Sequence, residues 1–315
     1  RWAVRDRHAR HLKRFGEACY LRPRIPGDVE HIHAHFGHAP ATVALLLSRF
    51  SGRPFSFTGH ANDIFFKPSP ELLRAKIAEA RLVVTVAEHG RRYLAELSDP
   101  GDREKIVVVR NGVDRRRFAP RAREPAGELP IVLCVSRLVE IKGLDTLVDA
   151  CGVLAARGVR FCCEVIGGGH LRHVLEERAR SNGLNGELTL AGALDHYAVR
   201  AAQERASVFA LPSNVTESGR RDELPCAIVE AQSVGVPVVT TPVSAIPEAV
   251  EHEKSGLLVP PRDAEALAAA IDRLLHDRDL RARLARGGQA TAERFELAST
   301  VGRLRDLFRH GPEAA

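Results

Sequence analysis

Residues 131–157 read IVLCVSRLVEIKGLDTLVDACGVLAAR. A run rich in β-branched residues stops at Ser136-Arg137, and Lys142-Gly143 then opens a stretch with helical periodicity near 144 to 157. Strand, charged corner and helix make one half of a parallel crossover unit. The same alternation continues toward the C-terminus through FCCEVIG, ELTLAG, SVFALPS, PVVTT and GLLVP, with helical patterns near 170–182, 196–204, 225–234 and 264–276. Six strands with crossover helices make a complete doubly wound sheet. Toward the N-terminus stand HIHAHF (31–36), PFSFTGH (54–60), LVVTVA (82–87) and KIVVVRNG (105–112), alternating with helices near 39–50, 71–79 and 88–97.

The expected fold class is therefore α/β, with two Rossmann-like doubly wound parallel-sheet domains, the first one incomplete. The Pro-, Ala- and charge-rich text after Phe118 has no period and reads as a linker at 119–129. This gives a first domain over 1–118, a second over 130–297, and a C-terminal helix at 298–315 that packs back on the first. The absence of methionine and an opening on Arg1, inside the basic helical text RWAVRDRHARHLKRF, point to an N-terminally truncated chain.

The 315 residues, 44% apolar and 27% charged, have the composition of a soluble globular protein. No run approaches the roughly 20 apolar residues that cross a bilayer, and the first residues are not a signal sequence, so a cytoplasmic protein is expected. Cys19, Cys134, Cys151, Cys162, Cys163 and Cys226 show neither C-x-x-C nor a histidine at ligand spacing, and read as buried reduced thiols. A net charge of +6 is modest for this length. It does not indicate nucleic acid, and suits anionic small molecules or an anionic membrane surface. Arg1, Arg5, Arg7, Arg10, Lys13 and Arg14 against Asp6 fit a helix lying on such a surface, or a helix that normally packs against a missing part.

In doubly wound sheets ligands sit beyond the carboxyl ends of the strands. At the corner after IVLCVSRL, the guanidinium of Arg137, the ammonium of Lys142 and a helix start form an anion site suited to a diphosphate. After FCCEVIG, Gly167-Gly168-Gly169 lacks the full dinucleotide fingerprint, leaving a glycine wall beside a nucleotide or a plain tight turn. After SVFALPS comes ESGRRDELPCAIVE (217–230), in which Pro225 suits the first helical position and Gly235 ends the helix. Glu230 falls inside an otherwise apolar helix and needs hydroxyl or cationic partners there. Asp222 precedes the helix, where the dipole stabilises it or it acts as a cap.

His60, at the end of PFSFTGH, can hydrogen-bond a sugar hydroxyl or a phosphate, or be structural, and it faces an inter-domain cleft if the two sheets oppose each other. His31, His33 and His35 share one strand face without a carboxylate partner, so no metal site is expected; Asp277-Arg278-Asp279 closes a helix and reads as surface.

Together these corners resemble the retaining, nucleotide-sugar-dependent glycosyltransferases of family 4, which have the GT-B fold. The similarity runs from HIHAHFGHAPATVALLLSRFSGRPFSFTGHANDIF to SGLLVPPRDAEALAAAIDRLL, and is nearest the branch making colanic acid and other exopolysaccharides, with its H-x-H-F and F-T-x-H-A-x-D stretches. The family's acid, seven residues, Glu pattern falls on Asp222 and Glu230, leaving Glu217 and Glu223 as loop surface. The resemblance implies that Glu230 binds the donor ribose and Asp222 the transferred sugar. Arg137 and Lys142 would hold the diphosphate, His60 would contact the sugar, and backbone around Gly192, Ala193 and Leu194 would hold the base. Gly167, Gly168, Leu224, Pro225, Cys226 and Ala227 complete the implied donor site. NGVD (111–114) and GLLVPPRD (256–263) are further, more structural, landmarks.

The implied reaction moves a sugar from a nucleoside diphosphate to a hydroxyl of a glycan or lipid-linked acceptor, with retention, in exopolysaccharide or cell-envelope biosynthesis. It needs no metal or other cofactor. Asp222 stands where Glu is commonest, Ser244-Ala245 replace a pair of small or glycine residues, and the family's first strand and glycine-rich loop have no counterpart before Arg1. The alternatives are a GT-B nucleotide-sugar 2-epimerase and a non-catalytic nucleotide-sugar-binding remnant.

Overall fold

A computed structural model describes residues 9–66, 69–122 and 129–312. The chain forms two compact units, one made of residues up to Arg110 together with those from Thr300 onward, the other of Asn111–Ser299.

The first unit holds a parallel sheet of β1 (Ile32–His35), β2 (Phe55–Gly59), β3 (Leu82–Thr85) and β4 (Ile106–Val108), in that spatial order. Its helices are α1 (Ala9–Leu21), α2 (Ala39–Ser51), α3 (Asn62–Phe65), α4 (Pro70–Glu79) and α5 (Glu88–Leu97). β3 and β4 are apolar without alternation because both their faces are covered, whereas β1 (Ile-His-Ala-His) and β2 (Phe-Ser-Phe-Thr-Gly) alternate apolar with polar residues. Phe55, Phe57 and Val83 pack with Ile77 and Leu94 of the helices, while Leu82, Val84 and Val107 pack with Leu307 of the C-terminal helix Leu297–His310.

The second unit holds β5 (Ile131–Val135), β6 (Cys162–Ile166), β7 (Leu188–Gly192), β8 (Val208–Leu211), β9 (Val238–Thr240) and β10 (Leu257–Leu258), all parallel, in the order β10-β9-β8-β5-β6-β7. The chain winds outward from β5 to β7, returns to β8 on the other side of β5, and winds outward again. Between β5 and β8 successive crossovers leave in opposite directions, which opens a crevice at the strands' carboxyl ends. The flanking helices are α6 (Leu144–Ala156), α7 (Arg172–Ser181), α8 (His196–Arg205), α9 (Cys226–Val234), α10 (Ile246–Ala249), α11 (Ala264–His276) and α12 (Arg278–Ala292).

Several boundaries differ from the sequence expectation. The first unit ends at Arg110 rather than Phe118. Val113 and Phe118 are buried in the second unit's core, and Val113 donates to Phe295 O at 2.7 Å. Of the expected 119–129 linker, residues 119–122 are not a connection between units. Arg121 N donates to Val234 O at 2.9 Å and its guanidinium to Ala206 O at 2.5 Å, which ties the segment to the second unit; residues 123–128 lie outside the described residues. Pro225 is the extended residue before α9 (φ −64°, ψ 121°) and not its first helical residue, while Gly235 closes α9 at φ 87°. Asp277 caps α12 by accepting from Leu280 N at 2.8 Å, which accounts for the Asp-x-Asp text.

All six cysteines are free, but Cys19 and Cys226 are exposed, against the expectation of burial: one lies on the outer face of α1, the other opens α9. Among the described residues no helix is long and apolar enough to cross a membrane. Residues 1–8 of the basic opening stretch lie outside the described residues.

Candidate functional site

The loops that follow β5 and β8 meet at the second unit's topological switch point. Lys142 ends a short 3-10 turn before α6, and Gly143 follows in the left-handed conformation at φ 64°. A Cβ there would lie 1.9 Å from Pro212 O, so only glycine lets the β8 loop close on this corner. Asn214 N donates to Ile141 O at 3.0 Å and fixes the contact. Across it, Lys142 Nζ lies 2.5 Å from Asp222 Oδ2, with side-chain exposures of 10% and 18%. The approach is ionic but off the hydrogen-bonding direction, and Asp222 Oδ2 has no hydrogen-bond partner. Asp222 is not the cap of α9, whose cap position is Pro225 and carries no side-chain bond. Arg137 stands exposed on the same loop as Lys142.

Glu230 is half-buried on α9, and among the described residues no hydrogen bond or ion pair holds its carboxylate. Burial raises its pKa, opposed by the charge of His196. The partners expected for a carboxylate in this helix are thus not supplied by the protein. The thiol of Cys226 feels both Glu230 and Lys142: burial and then Glu230 raise its pKa, while Lys142 and a bond to Asn111 lower it. Glu217 is exposed as expected. Glu223 is not loop surface but 3% exposed, and its carbonyl accepts from Ala245 N at 3.1 Å, joining the β8 and β9 loops.

The glycine corner after β6 packs against the corner after β5. A Cβ on Gly167 would lie 1.8 Å from Ser136 O and one on Gly169 2.3 Å from Leu138 O, whereas Gly168 faces open space. Leu138 N donates to Gly168 O at 2.9 Å, so the first and third glycines have a packing reason independent of any ligand. Gly192 closes β7 at φ 80° and its carbonyl accepts from Gly167 N at 2.8 Å. Ala193 and Leu194 are exposed beyond it, Leu224 and Ala227 are half-buried, and Pro225 is buried. Ser244 adopts φ 50°, the left-handed region in which glycine is at ease.

In the first unit His60 sits in a bonded corner. Asp63, 4% exposed, accepts from Gly37 N at 2.7 Å, His60 N at 3.0 Å and Ala61 N at 2.8 Å. Lys76, fully buried, donates to Gly37 O and His38 O at 2.8 Å each. Burial pulls the Lys76 pKa down to about 7, against the opposing charge of Asp63. His35 Nδ1 lies 3.1 Å from His60 Nε2, with the rings stacked. Burial and His35 lower the His60 pKa although Asp63 raises it, so the imidazole is neutral at pH 7. His33, between Ser56 Oγ (2.6 Å) and Thr58 Oγ1 (3.0 Å), is pushed down to about 4 by burial and the neighbouring histidines. Among the described residues no group of three or more His, Cys, Asp or Glu is placed to hold a metal ion.

Asp63, Lys76 and His35 carry this corner; His35 enters the sequence reading only as a candidate metal ligand, Asp63 only as part of the F-T-x-H-A-x-D stretch, and Lys76 not at all. A signal existed for Lys76, which falls on the buried stripe of α4 with Leu73 and Ile77.

Residues 115–291 match the family model described as Glycosyl transferases group 1. The chain belongs to that family. Residues 2–117 match the model described as Glycosyltransferase Family 4. One relative in this family carries the name colanic acid biosynthesis glycosyltransferase WcaL, from Escherichia coli; it is 36% identical over 88% of this chain, and the match spans 65% of its own length. The amylovoran biosynthesis glycosyltransferase AmsK of Erwinia amylovora is 34% identical over 84% of the chain and 68% of its own length. A GDP-mannose-dependent phosphatidylinositol monomannoside mannosyltransferase of Mycobacterium tuberculosis is 31% identical over 88% of the chain and 75% of its length. The fold is GT-B. It is shared with Anabaena HepE, solved with UDP and glucose, at a TM-score of 0.79 and 20% identity, covering 93% of this chain and 81% of that one.

Proposed function

We propose that this glycosyl transferases group 1 chain moves a sugar from a nucleoside diphosphate to a hydroxyl of a glycan or lipid-linked acceptor, with retention, in exopolysaccharide or cell-envelope biosynthesis. The observation that carries this reading is the Lys142–Asp222 ion pair at the second unit's switch point, beyond the strands' carboxyl ends, with Glu230 and Lys142 both acting on the Cys226 thiol beside it. The names of the relatives support the same class of reaction.

In this reading Glu230 accepts hydrogen bonds from the donor ribose, which supplies the missing partners and lowers its raised pKa. Negative charge grows on the leaving diphosphate, and Lys142, Arg137 and the start of α6 stabilise it where it develops. Asp222 takes hydroxyls of the transferred sugar. The departing phosphate oxygen accepts the acceptor's proton on the same face, and no side chain is assigned as base. His60, neutral at pH 7, positions rather than exchanges a proton. Because Arg137 and Lys142 carry the positive charge, turnover is expected to survive EDTA. A cytoplasmic chain with peripheral membrane contact belongs to the same proposal; α1 exposes Leu12, Phe15 and Tyr20 beside Lys13.

The test incubates the purified chain with UDP-glucose or GDP-mannose and a pool of glycan and lipid-linked acceptors, and follows release of the nucleoside diphosphate. Acceptor-dependent release supports transfer. Interconversion of the free nucleotide sugar would instead favour the epimerase, and the absence of both signals would contradict a transferase.

A further inference from the structure

We propose that the Lys142–Asp222 ion pair lets the site distinguish an intact nucleotide sugar from the bare nucleoside diphosphate left after transfer. The inference rests on the reading above, in which Lys142 meets the diphosphate and Asp222 the sugar.

These two side chains neutralise each other at 2.5 Å, and among the described residues neither has another side-chain partner. Both are largely shielded from water, so removing one charge leaves the other in a poorly solvated place. Lys142 has little freedom to retreat, since Gly143 next to it is wedged under Pro212 O and Ile141 O is bonded to Asn214 N. A diphosphate reaching Lys142 therefore takes the ammonium from Asp222.

What then happens to Asp222 depends on the ligand. Its Oδ2 has no hydrogen bond to fall back on. An intact donor brings sugar hydroxyls, which donate to the released carboxylate and satisfy it. A bare diphosphate brings no donor and adds negative charge beside a second uncompensated one. The pair yields to the nucleotide sugar, and re-forms against the spent diphosphate once the sugar has gone. Product release is thus built into the exchange of one partner of Lys142 for another.

Asp222→Asn tests this by removing the competing charge while keeping the shape. Affinities of UDP, GDP, UDP-glucose and GDP-mannose are measured by titration calorimetry on wild type and variant. Bare UDP or GDP is expected to bind the variant about tenfold tighter or more, the scale of a close charge pair at a binding site. The matching nucleotide sugar gains less or loses, so the preference for the intact donor falls. Adding Lys142→Met to Asp222→Asn is expected to abolish the gain. Asp222→Ala, which admits water to Lys142, is the second variant should Asn fold poorly.

An unchanged or weaker affinity for the bare diphosphate, in a wild type that does bind nucleotides, overturns the exchange and leaves the donor site standing. A gain for the sugar-bearing ligand as large as for the bare one also overturns it. If wild type and both variants ignore all four nucleotides, the donor-site reading and the exchange fall together. Binding of a bare diphosphate by Asp222→Asn, and by neither the wild type nor the double variant, supports the exchange.

Discussion

Each unit places buried charge at the carboxyl ends of its strands, and treats it differently. In the first unit Asp63 accepts from three backbone N–H groups and Lys76 donates to two carbonyls, so both charges are satisfied by the main chain that they hold in place. In the second unit Lys142 and Asp222 have only each other, and Glu230 has neither hydrogen bond nor ion pair among the described residues. A carboxylate spent on backbone is scaffold. One without a protein partner, half-buried on a helix that buries Ile228 and Val229, is the carboxylate that we propose meets the nucleotide.

The contrast can be broken most severely at Asp63. Asp63→Ala would leave the N–H groups of Gly37, His60 and Ala61 without their acceptor, and is expected to cost about 3–5 kcal/mol in urea unfolding. A loss below about 1 kcal/mol would mean that the corner is held by something else.

Lys76 sharpens it through pH. Its folded pKa, about 7, lies below its unfolded value, so between pH 7 and 10.5 the unfolded chain binds more protons and stability rises with pH. The slope is at most about 1.4 kcal/mol per pH unit. A neutral amine still donates to both Gly37 O and His38 O, so deprotonation keeps the corner closed. Lys76→Met should flatten the rise; a rise of equal slope in that variant would assign it to other groups.

Glu230 has the opposite sign. Its raised pKa gives a contribution present below pH 4.5 and lost as pH rises through the folded value, so at pH 7 the wild type carries a penalty. Glu230→Gln should therefore stabilise the chain at pH 7 in urea unfolding, and make little difference below pH 4.5. Destabilisation at pH 7 would reveal a structural carboxylate like Asp63.

The smallest effect is expected away from both sites. Asp277→Ala removes the α12 cap, which costs about 1 kcal/mol of stability. It should leave nucleotide affinity unchanged, and a change there would mean that the Asp-x-Asp text is more than a cap.

How much of this was legible in the sequence depends on the distance over which each feature is decided. The strands were readable because runs such as IVLCVSRL and LVVTVA are apolar on both faces and end at turn residues, which is local information. Lys142, Asp222 and Glu230 were nameable by type and spacing. The pairing of Lys142 with Asp222 was not, because it depends on the β8 loop folding back under Gly143. The boundary at Arg110 was missed because Pro- and Ala-rich text reads as a linker, although Arg121 is bonded to Val234 and Ala206. Glu223 looked like surface among acids and arginines, but its burial and the contact of its carbonyl with Ala245 N show the loop turning inward. Asp63 carries no sequence mark of its burial, because its partners are backbone.

The central claim is that Glu230, which has no protein partner among the described residues, is there for a nucleotide. It is tested most directly by titrating UDP-glucose and GDP-mannose, with UDP and GDP, into wild type and Glu230→Ala. The account predicts saturable binding of at least one nucleotide to the wild type, and a loss of about tenfold or more in the variant, while the variant melts no lower than the wild type without ligand. Equal affinity in the two proteins, or no binding to either, would contradict it.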